Sequence, residues 1–207
     1  TNGDCALRSF TKDFDDFDCD NFLISQQEFE QASDKVDHEL IESLEYAFEN
    51  ISNYHSKCYE SLNLEPSNDD VKRKFRVIDS VGMYIPGGQA SYPSTVLMAA
   101  APALACGVRN ISLTTPAQNG MLNSLTIAAA KVAGIKKIYK IGGAQAIAAL
   151  ALGTDQVSKV DKVIGPGNAF VAEAKKQLFG EVGIDAIAGP SEIVILADDT
   201  SDPETIA

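Results

Sequence analysis

The sequence predicts an α/β protein built on a parallel sheet, and three observations carry the prediction. From about residue 71 onward, short β-branched apolar runs alternate with small-residue helical runs, a pattern that lays helices over both faces of a parallel sheet. Almost no Lys or Arg enters the apolar strand runs, which fits burial on both faces. Glycines stand where strand gives way to helix, at Pro86-Gly87-Gly88, Gly142-Gly143, Gly165-Pro166-Gly167 and Gly189-Pro190. In such a sheet these turns gather at the carboxyl ends of the strands, where α/β proteins bind ligands. The expectation is therefore a Rossmann-like parallel sheet with helices on both faces over 71–207, preceded by an α-helical N-terminal arm over 1–70.

Taken in order, the arm opens with Leu7, Phe10, Phe14 and Phe17 at helical spacing, which predicts a short amphipathic helix. The acids that follow, Asp13, Asp15, Asp16, Asp18 and Asp20, lack the glycine and distal glutamate of a calcium loop and read as a solvated face. Ser25-Gln26-Gln27-Glu28 has the spacing of a capping box and predicts a helix to about Ser33. The longest helical pattern starts near Val36 and carries Leu40, Ile41, Leu44, Ala47, Phe48, Ile51 and Tyr54 on one face, running to about Tyr59. Its length suits a clasp against another domain or subunit. His38 and His55 both lie on it, too far apart to share a metal. Residues 61–70, with Pro66 and Asp69-Asp70, read as a linker, and composition shifts beyond them.

In the second region, 75–85 is β-rich with its period broken at Asp79-Ser80. Pro93 opens a helix that Pro102 is expected to kink or interrupt. A strand at 109–115 follows, then a helix from Leu122 to Ala133, a strand at 138–141 and a helix to Leu152. Next come a strand at 160–164, a helix to Phe179, a short strand at 184–187 and a strong apolar strand, Ile193-Val194-Ile195-Leu196. The last residues, Ser201-Asp202-Pro203-Glu204, read as the first turn of a helix. With no methionine at Thr1 either, the expectation is a piece of a longer chain.

Bulk properties exclude some function classes. The chain has 207 residues and a formal net charge of −12, which argues against nucleic acid and anionic membrane surfaces as partners. No apolar run is long enough to span a bilayer. Cys5, Cys19, Cys58 and Cys106 are scattered without Cys-x-x-Cys spacing and read as reduced thiols, and with no export leader the expected location is cytoplasmic.

Polar side chains at the glycine turns give the candidate site. Tyr84 precedes Pro86-Gly87-Gly88 and offers a ring and a hydroxyl. Gln145 and Asn168 are amides just past their glycines, able to donate and accept. Ser191 and Glu192 follow Gly189-Pro190. Ser191 has no histidine with a sequence reason to be near, so hydrolase chemistry is not expected. The strict G-x-G-x-x-G fingerprint is absent, and Gly165-Pro166-Gly167 supplies only G-x-G.

Several long segments, in order across about 77–200, resemble histidinol dehydrogenases. They are Val81-Gly82-Met83-Tyr84-Ile85-Pro86-Gly87-Gly88 with Tyr92–Met98, Gly142-Gly143-Ala144-Gln145-Ala146-Ile147, and Lys159 through Asn168. Gly183-Ile184-Asp185 and Ala188-Gly189-Pro190-Ser191-Glu192 complete the set. The resemblance implies an enzyme that oxidises L-histidinol to L-histidine through the aldehyde, with two NAD and zinc, in the last step of histidine biosynthesis. It also implies a homodimer whose sites use both subunits. Carried over by motif, Tyr84, Gln145 and Asn168 are NAD-contacting positions and Ser191 is a substrate-contacting one. The family's zinc ligands and its acid–base pair would fall beyond residue 207, so no catalytic or metal-ligating residue is expected in this chain, and the chain alone is expected to be inactive. The competing expectation is a non-catalytic nucleotide-binding or interaction module of the same fold.

Overall fold

The computed structural model describes residues 3–62, 74–87, 91–187, 189 and 192–206. Three helices come first: α1 (Gly3–Asp15), α2 (Gln26–Ser33) and α3 (His38–Ser61). Alternation follows: β1 (Ser80–Tyr84), α4 (Pro93–Ala105), β2 (Asn110–Thr115), α5 (Ser124–Val132), β3 (Lys137–Lys140), α6 (Gly143–Leu152), β4 (Lys162–Ile164), α7 (Ala169–Leu178) and β5 (Gly183–Ile184). A last turn of helix, α8, spans Pro203–Ile206.

All strand pairings are parallel, and the order across the sheet is β3-β2-β1-β4-β5. The chain winds outward from β1 to β3, then returns to the other side of β1 to lay down β4 and β5. The strand order therefore reverses between β1 and β4. A crevice opens outside the carboxyl ends of two strands at such a reversal.

The two faces follow from alternation along each strand. Val81 and Met83 of β1, Leu113 of β2 and Ile138 of β3 pack with Val96, Leu97 and Ala100 of α4 and Ile127 of α5. Tyr84, Tyr139 and Val163 point to the opposite face, where Ile147 and Leu150 of α6 and Val171 of α7 cover them. Burying a side chain such as Leu113 completely contributes about 1.5–3 kcal/mol. The arm joins both cores: Leu7 of α1 packs with the α6–α7 face, and Phe29 of α2 with the α4–α5 face.

The arm also closes a sheet edge. Ile24 N–H donates to Ile138 O at 2.9 Å and Lys140 N–H donates to Phe22 O at 2.8 Å, so residues 22–24 bridge antiparallel to β3. Without them β3 would present an unpaired edge. The Lys140–Glu28 ion pair, 2.9 Å, ties the start of α2 to the same strand. Glu28 also completes the predicted capping box with Ser25. The boundary expected near residue 70 lies outside the described residues.

Several local expectations are corrected. Residues 75–78 are exposed and are not part of a strand, which begins only at Ser80. Phe10 and Phe14 do not face the core; they stack on each other at 6.1 Å on the exposed side of α1, whose buried positions are Leu7 and Thr11. Pro102 does not interrupt α4, which runs on to Ala105. Ile193-Val194-Ile195-Leu196 forms no strand among the described residues, and all four side chains are exposed, Leu196 by 97%.

Candidate active site

The turns after β1, β2, β3 and β4 meet at one end of the sheet. Pro116, just past β2, is the contact point for two of them: a Cβ on Gly87 would lie 3.0 Å from Pro116 Cγ, and one on Gly142 would lie 2.6 Å from Pro116 Cβ. Any residue but glycine at 142 would push the β2 and β3 turns apart. The turn after β4 is tighter. Gly165 has φ +114°, and a Cβ there would stand 2.0 Å from the carbonyl oxygen of Tyr84. Only glycine permits this approach of the β4 terminus to the β1 terminus, directly at the strand reversal.

The two helices that leave the rim begin differently. α6 starts at Gly142 without a side-chain cap. The Tyr84 hydroxyl accepts a hydrogen bond from Gly143 N–H at 3.1 Å and so takes one of the free donors. α7 starts at Asn168, whose Oδ1 accepts from Phe170 N–H and Val171 N–H, each at 3.1 Å. That caps the helix and leaves the carboxamide NH2 as the donor end of the side chain.

Of the expected site residues, Tyr84, Gln145 and Asn168 fall at one rim. Tyr84 is 4% exposed, so its ring is part of the core and its hydroxyl reaches the α6 terminus. Burial pushes this phenol up, the Gly143 N–H opposes the shift, and the charge of Asp15 adds to it. Gln145 lies in the first turn of α6 with its carboxamide folded back over Gly143, where Oε1 would be 2.6 Å from a Cβ at that position. Asn168 is exposed at the start of α7. Ser191 lies outside the described residues. Glu192 is exposed.

Residues not singled out from sequence hold the rim in place. Lys175 of α7 is 4% exposed and donates from Nζ both to Gly165 O and, at 2.7 Å, to Asp185 Oδ1. Asp185 Oδ2 in turn accepts from Gly165 N–H at 2.8 Å. Partial burial raises the Asp185 carboxyl. The Lys175 hydrogen bond, the Ala186 and Gly165 N–H groups and the Lys175 charge outweigh it, and the net position is below the ordinary carboxylate range. A sequence signal existed: Lys175 stands four residues after Val171 on the inward face of α7, where an apolar residue is the usual choice.

Asp15, at the end of α1, is close enough for its charge to act on the Tyr84 phenol. Burial, then the neighbouring charge of Asp16, push it from 3.8 to about 6. Its Oδ2 is buried with no hydrogen-bond partner among the described residues.

A cavity of about 580 Å³ opens over β4 on the α4 side, lined by Phe75, Val77, Met98, Ile164, Gly165 and Asp185 among others. It reaches the strand reversal, where Val81 of β1 and Lys162 and Ile164 of β4 line it. Among the described residues no three His, Cys, Asp or Glu side chains gather as a metal set. His38 and His55 lie on α3, with His38 beside Glu42 at 3.2 Å and His55 edge-on to Tyr54. Among the described residues, no helix is long and apolar enough to cross a membrane.

A doubly wound parallel sheet with its glycine turns gathered at the strand reversal defines the class of α/β proteins that take a ligand at the carboxyl rim. Comparison with known proteins narrows the class. The family model for histidinol dehydrogenase matches residues 1–207. The histidinol dehydrogenase of Bacillus subtilis (strain 168) is 49% identical over 209 residues, covering 100% of this chain and 49% of that protein. That of Methanococcus maripaludis is 46% identical over 209 residues, again covering 100% of this chain and 49% of the relative. The crystal structure of histidinol dehydrogenase from Elizabethkingia anophelis superposes with a TM-score of 0.87 at 39% identity, covering 98% of this chain and 48% of that one. The chain belongs to the histidinol dehydrogenase family, and it spans about half the length of the relatives it matches.

Proposed function

We propose that this chain is the cofactor-binding half of a histidinol dehydrogenase, an oxidoreductase that converts L-histidinol to L-histidine through the aldehyde at the expense of two NAD. The observation that carries the reading is the glycine rim at the β1/β4 reversal in a chain that matches the family over its whole length. The rim fits a dinucleotide in two respects. The α6 N-terminus has no side-chain cap. Amide side chains, Gln145 and Asn168, stand beside both helix starts. A helix N-terminus favours the negative charge of a pyrophosphate, and close backbone approach lets its N–H groups face that charge.

Bound there, NAD supplies hydride acceptance at its nicotinamide ring. This chain's residues bind and orient it. Gln145, folded over Gly143, offers both a donor and an acceptor at the α6 start. Asn168 offers its NH2 at the α7 start. Tyr84 acts from beneath, fixing the Gly143 peptide through its hydroxyl rather than presenting a ring face. Ser191, in the motif after Gly189-Pro190, is the substrate-contacting candidate. Zinc does not fit the described residues, which offer no ligand set. In this reading zinc belongs to residues beyond 207, together with the general base, and the working protein is a dimer.

The test is an NAD titration by calorimetry on the intact protein that contains this sequence, with Gln145→Ala alongside. The expected result is saturable NAD binding, weakened about tenfold by Gln145→Ala, as loss of one hydrogen-bonding partner predicts. Unchanged binding removes Gln145 from the cofactor site. The chain of 207 residues assayed alone with histidinol and NAD is expected to form no NADH. Clear turnover would refute the division of labour.

A further inference from the structure

We propose that Lys175 and Asp185 are positioning residues for the cofactor: together they hold the Gly165 peptide from both sides and thereby set where Asn168 presents its amide. The inference rests on the cofactor reading of the rim.

Gly165 is the point at which the chain leaves β4 and enters the rim. Its backbone is in the left-handed region at φ +114°, pressed against the β1 terminus. A glycine peptide in that region has no side chain to hold it, and Pro166 contributes no N–H of its own. Both polar groups of Gly165 are nevertheless taken. Its N–H donates to Asp185 Oδ2 at 2.8 Å, and its C=O accepts from Lys175 Nζ. The two side chains close on each other through the 2.7 Å Lys175–Asp185 ion pair. The ring of contacts therefore runs from Gly165 N–H to Asp185, to Lys175, and back to Gly165 C=O. It joins three elements at once: the end of β4, the middle of α7 and the segment after β5.

The arrangement does more than bury a charge. Breaking a buried pair leaves its partner uncompensated, and replacing such pairs with apolar residues is often harmless to stability. Here each partner also fixes one atom of the same peptide, three residues before Asn168. Asn168 is itself tied by its Oδ1 to Phe170 N–H and Val171 N–H. The only freedom left to its amide is movement of the turn that carries it, and that turn is what Lys175 and Asp185 hold. Placing a binding group to within a few tenths of an ångström through supporting contacts is what makes such groups effective.

The test uses the intact protein and three variants. Lys175→Met removes the charge and both hydrogen bonds while keeping the length of the stem. Asp185→Asn keeps the size and one acceptor and guards against failure to fold. Lys140→Met breaks the Lys140–Glu28 pair on the far strand as a control for the generic loss of an ion pair. Circular dichroism checks that each variant is folded. NAD and histidinol affinities are then measured separately by calorimetry, and the KM values for each substrate are compared. The expected result is NAD affinity weakened about tenfold in Lys175→Met and somewhat less in Asp185→Asn, with histidinol affinity unchanged. Lys140→Met is expected to be less stable yet to bind NAD normally. Lys175→Met or Asp185→Asn folded, less stable and unchanged in NAD affinity would overturn the proposal, because the pair would then be structural only. Equal weakening for both substrates would also overturn it. If the unaltered protein fails to bind NAD, the cofactor reading falls first and this inference with it.

Discussion

The two helix-starting turns of the rim do the same job by different physics. The α6 turn is held by packing. Gly142 abuts the Pro116 ring, Gly143 N–H rests on the buried Tyr84 hydroxyl, and the nearby carboxylate, Asp15, is raised to about 6. The α7 turn is held by polar and charged contacts. Asn168 caps the helix, Lys175 and Asp185 grip Gly165, and Asp185 is held below the ordinary carboxylate range. The difference teaches that an apolar frame and a charged clamp can define neighbouring parts of one site, and that the two respond in opposite senses to acid.

The largest expected effect falls on Gly165. Gly165→Ala combines a left-handed backbone with a Cβ 2.0 Å from backbone Tyr84 O, which nothing flexible can relieve. The cost is expected to be roughly 3 kcal/mol or more by urea unfolding. Gly142→Ala meets a side chain instead, 2.6 Å from Pro116 Cβ, and is expected to cost about 1–3 kcal/mol. A Gly142→Ala variant as damaging as Gly165→Ala would erase the distinction between the two turns.

The pH response separates them next. Asp15 has a folded pKa above its unfolded value, so its favourable contribution is complete below about pH 3.8 and is lost as pH rises through about 6. Asp15→Asn is therefore expected to stabilise the protein at pH 7 by on the order of 1–2 kcal/mol, and by nothing near pH 3.5. Asp185 has the opposite sign. Its contribution is present above the unfolded carboxylate value and is lost as pH falls through its depressed folded pKa. Asp185→Asn should therefore be most destabilising near neutral pH and least so in acid. Stability curves of the two variants that run parallel across pH would break the comparison.

The smallest effect is on the cap. Asn168→Ala removes an oxygen that accepts from two N–H groups, and is expected to cost about 1 kcal/mol in urea unfolding. Asn168→Asp keeps the cap and removes the NH2, so it should spare stability while weakening NAD binding. Equal NAD affinity in Asn168→Asp would take the amide out of the cofactor site.

Much of this was legible in the residues. Alternation of β-branched and small-residue runs gives the order of strands and helices from Ser80 to Ile184, because strand and helix periods differ and glycines mark the junctions. Ser25-x-x-Glu28 gives its capping box because both partners lie within four residues of each other. The Phe10, Phe14 pattern misleads because periodicity reports amphipathicity without saying which face a neighbour covers. Ile193–Leu196 misleads for a related reason: an apolar run has strand character, but a strand exists only through ladder hydrogen bonds to a neighbour, and local sequence does not report those.

The sequence by itself determined the parallel α/β plan, the glycine turns and the family, since these depend on local periodicity and on long ordered motifs. Only the tertiary structure decided which side of β1 receives β4, that Tyr84 supports Gly143 from within the core, and that Lys175 and Asp185 close around Gly165. Those contacts join residues 10, 20 and 59 positions apart. No local rule encodes such pairings, because they exist only once the sheet has brought the strand ends to one rim.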